Sequence, residues 1–282
     1  MEGGKDLQPA HSGIPEHLRR GSLLLKTKKY QEAMPEFESE LRSDPKNTEA
    51  HLGLARCYSF FVIDVNEKLN EYKYVEINDI PQFPVFDLDR DINEGPPGTK
   101  VCIYPHDFHK LNQWKIRAVA EYKEALRLNP GLSDALAELG DIVVSDNKEE
   151  GFALLNQALK IDPDIALAHW IIGDDLMNQG CVTEAIAHLA RAVRTEPDNY
   201  KYWFSYSRAC LGTGNSDQAI DGYFHVISLN PRHRDALFNL GTEFLNKQDR
   251  YLARKYWNQF LLLEPDSDDA GYIYGIFPDL KH

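Results

Sequence analysis

The feature that most constrains this chain is the regular spacing of its prolines. Six of them directly follow Asn, Asp or Glu, and the last five are separated by 33, 34, 34 and 34 residues: Pro45, Pro130, Pro163, Pro197, Pro231 and Pro265. The first two are 85 residues apart, which is one period of 34 with an excess of 51. A fixed period of this length indicates stacked copies of one supersecondary unit. The sequence therefore predicts six repeats, the second of which carries an insertion.

Each repeat has the pattern of two helices joined by a short turn. In the fourth repeat, residues 184–193 place apolar side chains at helical spacing, and residues 168–177 form a similar segment before them. Glycines such as Gly180 and Gly214 mark the turn within a pair. Proline cannot continue a helix interior and disfavours helical geometry in the residue before it, so each Xaa-Pro step ends the second helix.

The repeat resembles the tetratricopeptide-repeat family. That family has a small residue late in the first helix and an alanine in the second helix, followed four residues later by a large apolar residue. The first-helix small residues are Gly21, Ala55, Gly140, Gly173, Ser207 and Gly241. The second-helix small residues are Ala33, Ala118, Gly151, Ala185, Ala219 and Ala253. The large apolar residues after them are Phe37, Tyr122, Leu155, Leu189, Tyr223 and Trp257.

The resemblance implies an all-α, right-handed α-solenoid of six helix pairs over residues 14–277. Residues 1–13 are expected to be an amino-terminal tail and residues 278–282 a carboxy-terminal tail. After Pro265, residues 267–275 restart a first helix that stops near Pro278. We expect this segment to be a capping helix, because a repeat array must cover its last apolar face.

The insertion in the second repeat spans about residues 60–111 and contains ten acidic and five basic residues. Short alternating or apolar runs lie within residues 72–104, separated by polar and Gly-Pro segments, which favours short strands or extended loops. The preceding helix is expected to end near Phe61. The many aromatic residues argue against simple disorder. We expect a small ordered lobe of mixed structure.

Composition limits the classes of partner. The chain has 31 basic and 44 acidic residues, a formal net charge of −13, which disfavours nucleic acid and anionic membrane surfaces. No uninterrupted apolar run approaches the ~20 residues that span a bilayer. The amino terminus has no basic, apolar signal pattern, and the four cysteines are scattered as in a reducing compartment. We therefore expect a cytoplasmic protein.

Catalytic and metal-binding patterns are weak in this sequence. The run from Tyr104 to His109 includes two histidines and Asp107, but an aspartate that caps the following helix explains it better than a metal site. Residues 87–91 imitate the start of a calcium loop without its glycine and terminal glutamate. Phosphate-loop, nucleophile-elbow and zinc-protease motifs are absent. We expect no cofactor, no metal and no enzymatic activity; an enzyme or ligand-regulated lobe in the insertion remains an alternative.

The best functional candidates come from one repeat position of the first helices, which line the concave groove in the tetratricopeptide-repeat family. Four aromatic residues spaced by 34 stand there, and we call them the aromatic row: Trp170, Phe204, Phe238 and Tyr272. One helical turn later come Asp174 and Arg208, and the earlier repeats place Leu52 and Arg56 on the same face. Packing between neighbouring helices is the alternative explanation of these aromatics.

These residues suggest an adaptor or scaffold that binds a partner peptide or helix. Aromatic side chains would anchor the partner and charged ones would set its register. Family members that bind chaperone tails use Lys and Asn in the groove, where the first repeat has Leu18 and Ser22, so that partner class is disfavoured. A self-associating structural scaffold, and hence a homo-oligomer, is the alternative.

Overall fold

The computed structural model describes residues 14–71, 75–76, 100–101 and 108–281. The chain divides into two compact units, which meet in sequence between Asp146 and Asn147. The predicted metal candidate around His106 and Asp107, the acidic loop 87–91 and the tail 1–13 lie outside the described residues.

Among its described residues, unit 1 contains five helices and a two-stranded ribbon. The helices and strands are α1 (Glu16–Lys26), α2 (Tyr30–Ser43), α3 (Thr48–Glu71), β1 (Val75–Glu76), β2 (Lys100–Val101), α4 (Phe108–Leu128) and α5 (Ser133–Val144). Helices α1 and α2 pack as a pair, as do α3 and α4. The two strands are antiparallel, with Val75 opposite Val101.

Unit 2 contains eight α-helices in its described residues. They are α6 (Lys148–Ile161), α7 (Ala166–Asn178), α8 (Val182–Thr195), α9 (Tyr200–Gly212), α10 (Ser216–Leu229), α11 (Arg234–Asn246), α12 (Arg250–Leu261) and α13 (Asp268–Ile276). Three adjacent pairs form, α7 with α8, α9 with α10 and α11 with α12. The all-α class and the pairing predicted from the proline period are confirmed.

Two segments are helical beyond the bounds that the sequence pattern predicts. Helix α3 continues to Glu71, ten residues beyond the end expected near Phe61, so the range 60–111 contains helical residues at both of its ends. The range 278–282, expected to be a tail, contains a 3-10 helix from Pro278 to Lys281. Its Asp279 forms an ion pair with Arg254 of α12.

Polar residues before several helices of unit 2 cap the first turn of those helices. The Asn147 side chain accepts a hydrogen bond from the Glu150 amide at 3.2 Å, and Asp249 accepts one from Leu252 at 2.9 Å. Ser267 does the same for Ala270 of α13 at 3.2 Å. Such caps satisfy amide donors that have no partner within the helix. The second helices α2, α4, α6, α8 and α10 end two residues before their prolines, as expected, whereas α12 ends at Leu261, four residues before Pro265.

The first-helix glycines allow the close approach predicted for each pair. A Cβ atom added to Gly21 would lie 2.8 Å from the Phe37 ring, and one added to Gly173 would lie 2.7 Å from Leu189. A Cβ atom added to Gly241 would overlap the Trp257 ring. The large apolar residue of the second helix therefore occupies the space that a side chain on the first helix would need.

A ring N–H group fixes the turn before three of the first helices. His51 Nε2 lies 3.1 Å from the Pro45 carbonyl oxygen, and His169 Nε2 lies 2.9 Å from that of Pro163. In the next repeat, Trp203 Nε1 donates to the Pro197 carbonyl at 2.8 Å. Because a carbonyl can only accept, each histidine Nε2 must carry the proton. These bonds hold the Xaa-Pro turn against the helix that follows it.

The Nδ1 atoms of first-helix histidines contact the second helix of their pair. His51 Nδ1 lies 2.6 Å from Glu121 Oε2. In the first repeat, His17 Nδ1 lies 2.7 Å from Glu36 Oε2. In the fourth repeat the partner is a second histidine, with the Nδ1 atoms of His169 and His188 2.9 Å apart. Since His169 Nε2 already donates to Pro163, its Nδ1 accepts from His188.

Candidate functional site

The aromatic row lies on the first helices of unit 2, one residue on each of α7, α9, α11 and α13. The 34-residue spacing gives the four side chains the same position in successive repeats. Trp170, Phe204 and Phe238 are half-buried, whereas Tyr272 is 50% exposed. Each side chain therefore has a part that packs and a part that faces solvent.

Trp170 is held by hydrogen bonds as well as by packing. Its Nε1 donates to Ser205 Oγ at 3.0 Å, and Ser205 Oγ donates to Asp174 Oδ1 at 3.2 Å. The Trp170 ring lies 5.5 Å from that of Tyr202 between ring centroids. The indole, the hydroxyl and the Asp174 carboxylate thus form one chain that links α7 to α9.

Phe204 lies against two rings from other helices or turns. Its centroid is 4.6 Å from that of His233 and 5.9 Å from that of Tyr223. His233 caps α11, because its Nδ1 accepts the Ala236 amide at 3.3 Å. Burial lowers the pKa of His233, so the neutral ring that this cap requires is favoured.

Phe238 and Tyr272 belong to an aromatic cluster at the end of unit 2. The Phe238 centroid is 5.4 Å from that of Phe260 and 6.4 Å from that of Tyr272. Tyr272 also meets Trp257 edge to face at 5.9 Å. Trp257 donates from Nε1 to the Phe238 carbonyl at 3.0 Å, which ties α12 to α11. Packing between neighbouring helices, the alternative explanation of these aromatics, therefore accounts for the buried part of each ring in the aromatic row.

The first-helix residues two positions after each member of the aromatic row differ in burial. Leu240 is completely buried, while Ile172, Tyr206 and Tyr274 are partly exposed. In α13 the neighbouring Ile273 is completely buried. The core and the aromatic row are therefore less sharply separated than the helical spacing suggests.

The charged candidates have different environments. Arg208 is exposed on α9, and Asp174 is half-buried and accepts from Ser205. In unit 1, Arg56 Nε lies 3.0 Å from both carboxylate oxygens of Glu138, so its charge is already paired. Leu52 is half-buried on α3. Of these charged groups, Arg208 is the most accessible to a partner.

Ser205 and His233 were not identified from the sequence, although both fix the aromatic row. Ser205 lies one residue past the repeat counterpart of Trp170, and His233 immediately precedes α11. Because Ser205 stands one residue away from the repeat position, the repeat pattern does not mark it as part of the site. Only the packing of successive helices brings these side chains to the row.

Within the described ranges, no group of three or more His, Cys, Asp or Glu side chains is placed to hold a metal ion. Over the same part of the chain, no helix is long and apolar enough to cross a membrane. Cys57 and Cys210 are buried thiols and Cys181 is an exposed one. Burial raises the pKa of Cys57 to about 12, which keeps it protonated.

Comparisons with known proteins agree with this geometry. A family model described as tetratricopeptide repeat matches residues 18–58 and 172–227. The human protein "Tetratricopeptide repeat protein 6" is 23% identical over 197 residues, which cover 57% of this chain and 38% of the human protein. The chain therefore spans well under half the length of that relative.

Two further similarities cover different extents of the chain. Photosystem I assembly protein Ycf3 of Cyanophora paradoxa is 29% identical over 119 residues, which cover 36% of this chain and 69% of the relative. A solved structure of Pseudomonas aeruginosa pilF superposes with a TM-score of 0.63 at 14% identity, covering 92% of this chain and 95% of pilF. At that identity the superposition shows a shared fold alone.

Proposed function

This chain is a tetratricopeptide-repeat protein, and from that premise we propose that it is an adaptor that binds a segment of a partner protein along the aromatic row. Repeat arrays of this kind present extended surfaces on which polypeptides bind. The similarity to Ycf3, which is named as a photosystem I assembly protein, is in keeping with a role in assembly.

The observation that carries the proposal is that the row is fixed in place and still accessible. Trp170 is hydrogen-bonded to Ser205, and Phe204 and Phe238 pack on rings of neighbouring elements, so little rotamer freedom would be lost on binding. Preorganised aromatic side chains are enriched among the residues that dominate binding energy. Tyr272, half exposed, is the most accessible anchor.

The charged residues beside the row indicate which charges the proposed partner carries and in which order. Asp174 follows Trp170 by one helical turn, and Arg208 follows Phe204 by the same interval. A partner with a basic group near Trp170 and an acidic group near Phe204 would match them. We propose an extended or helical peptide with spaced apolar residues and one charge of each sign.

A phage-displayed library of random peptides, selected on the full chain, tests this function. We expect selected peptides to contain spaced apolar residues, and Tyr272→Ala to weaken the best of them by tenfold or more in fluorescence anisotropy. Tyr251→Ala is the matched control, because Tyr251 is 78% exposed but lies on α12 outside the row. Arg208→Glu should weaken peptides that carry an acidic residue.

Two results would contradict the proposal. One is peptide affinity that is equal in wild type, Tyr272→Ala and Arg208→Glu. The other is a purified chain whose size in light scattering rises with concentration and returns to that of a monomer in Tyr272→Ala. That second result would favour the alternative of a self-associating scaffold.

We also propose that the protein acts in a reducing compartment such as the cytoplasm. Three of its four cysteines lie in the described residues, and all three are free thiols. Buried free thiols are usual in proteins kept reduced, whereas secreted domains use cysteines as disulfides.

A further inference from the structure

Asp174 is a carboxylate that the fold holds in place without giving it a counter-charge. Its Oδ1 accepts a hydrogen bond at 3.2 Å from the hydroxyl of Ser205, which is 6% exposed. Asp174 is half-buried on α7, and no basic side chain among the described residues forms an ion pair with it. The next residue differs, because Asp175 pairs with Lys148. A partly buried carboxylate without a cation is costly to desolvate, so a cation from a partner would be favourable there.

The hydrogen-bond requirements of Ser205 do not explain this placement. A helical serine can donate to the carbonyl one turn earlier, as Ser207 of the same helix does to Trp203 at 2.7 Å. Ser205 donates across to α7 instead, while its oxygen accepts the Trp170 indole N–H at 3.0 Å. One buried hydroxyl therefore positions both a member of the aromatic row and an unpaired carboxylate.

The two side chains that Ser205 joins suit one kind of ligand. Trp170 and Asp174 lie within hydrogen-bond distance of the same oxygen, and both are partly exposed. Lysine and arginine have an apolar stem, which packs on apolar surface, and a charged end, which hydrogen-bonds to carboxylates. Asp174 Oδ2 has no hydrogen bond to a described residue, so it is available as the acceptor.

We propose that Trp170, Ser205 and Asp174 form a cation subsite that binds a lysine or arginine side chain of the partner. The stem of that side chain lies on the exposed part of the indole, and its charged end reaches the Asp174 carboxylate. Ser205 is the positioning residue. The inference rests on the proposed function for the partner that supplies the side chain, and it adds the chemistry by which the partner is selected.

Arginine and its neutral isostere citrulline test the subsite directly. The probes are N-acetylarginine amide and N-acetylcitrulline amide, titrated into the full chain labelled with fluorotryptophan and followed by fluorine NMR. The chain has four tryptophans, and Trp170→Phe identifies the signal of Trp170. We expect the arginine probe to shift this signal saturably and the citrulline probe to bind about tenfold more weakly, because only the former makes a charged hydrogen bond.

Asp174→Asn separates the subsite from a purely structural tether between α7 and α9. The amide oxygen still accepts from Ser205, so the urea midpoint should match that of wild type, whereas the preference for arginine over citrulline should be lost. Ser205→Ala should reduce the same preference, because the carboxylate is no longer held. Asp221→Asn is the matched control: it removes the same charge from an exposed position on α10 and should bind both probes as wild type does.

Equal affinity of the two probes for the wild-type chain overturns the proposal, as does a Trp170 signal that neither probe shifts. An equal loss of affinity in Asp174→Asn and Asp221→Asn also overturns it, because the attraction would then come from the net negative charge of the chain. These results leave the proposed function intact, since selected peptides can still depend on Tyr272. If Tyr272→Ala binds those peptides as wild type does while Trp170 responds to the arginine probe, the proposed function fails and the cation subsite stands.

Discussion

The first-helix side chains of unit 2 differ in how far they support the fold and how far they face solvent, according to their burial. Leu240 makes only core contacts, Phe204 packs on His233 and Tyr223 while half-buried, and Tyr272 is half exposed. Truncating each of them should therefore cost different amounts of stability, although all three lie on first helices at neighbouring repeat positions.

Alanine substitutions at these three positions should give a graded loss of stability. Leu240→Ala should lower the free energy of unfolding by about 2–5 kcal/mol, as buried leucines do. Tyr272→Ala should cost about 1 kcal/mol or less. For Phe204→Ala the repeat pattern alone suggests about 1 kcal/mol or less, and its ring contacts raise our expectation to about 2 kcal/mol. Urea unfolding monitored by circular dichroism measures all three; equal losses for Tyr272→Ala and Leu240→Ala would show that the whole row is core.

Three histidines should make unit 2 sensitive to acid. Burial lowers the pKa of His169, His188 and His233 below the ordinary value of 6.5. Between that value and the folded pKa, the unfolded chain binds more protons, so the free energy of unfolding falls as pH falls. Protonating His233 also removes the acceptor that caps α11, and protonating His169 Nδ1 opposes two N–H groups.

The measurement is the urea midpoint at about pH 7.5 and about pH 5.5, where linkage predicts a lower midpoint in acid. His233→Asn keeps a capping side chain without titrating, so it should show a smaller acid-induced decrease than wild type. His188→Gln should reduce the decrease in the same way. A midpoint independent of pH over this range, or rising in acid, would contradict the assigned burial of these rings.

At the scale of helices, the period predicted most of what the structure contains. Helix pairs, Xaa-Pro stops and the glycine positions follow from backbone geometry and steric size, which are local and recur every 34 residues. The end of α3 at Glu71 did not follow, because beyond Phe61 the sequence leaves the repeat and the partner helix α4 does not begin until Phe108. The histidine contacts with Pro45 and Pro163 did not follow from the period either, since they join a turn to a ring six residues later.

A matched pair of glycines tests whether the close approach of helices is what selects small residues. Gly241→Ala should destabilise the chain by about 1–3 kcal/mol, because the methyl group overlaps Trp257. Gly275→Ala, at the same repeat position with open space around it, should stabilise by about 0.5–1 kcal/mol through helix propensity. Thermal and urea unfolding of both variants checks the signs; a loss of stability in Gly275→Ala would mean that α13 is already packed there.

For the molecule as a whole, the sequence predicted the fold class better than the site. The fold class is confirmed, while the residues of the aromatic row were chosen by spacing, and spacing does not reveal how much of each ring neighbours cover. Arg56 is an example: it was chosen for its repeat position on α3, yet Glu138 pairs with its guanidinium. A paired charge and an available charge look alike in a repeat alignment.

The insertion should be removable from unit 1. Helices α3 and α4 pack as a pair although residues 72–107 separate them in sequence. Deleting residues 72–107 and joining Glu71 to Phe108 with a short Gly-Ser linker should leave a cooperatively melting helical protein, because the stability of repeats comes from nearest-neighbour interfaces. Thermal circular dichroism at the helical band measures this. A broad, non-cooperative melt would show that the insertion contributes to the core.

The point at which residues 72–107 connect α3 to α4 also has a practical consequence. Closing a longer loop costs little extra free energy, since the entropic penalty grows only with the logarithm of its length. Residues 72–107, a segment longer than a whole repeat, already separate α3 from α4, and the two helices nevertheless pack as a pair. The same position is therefore a suitable point at which to graft a fluorescent reporter domain whose own termini lie close together, which would convert the chain into a sensor of its partners without altering either end.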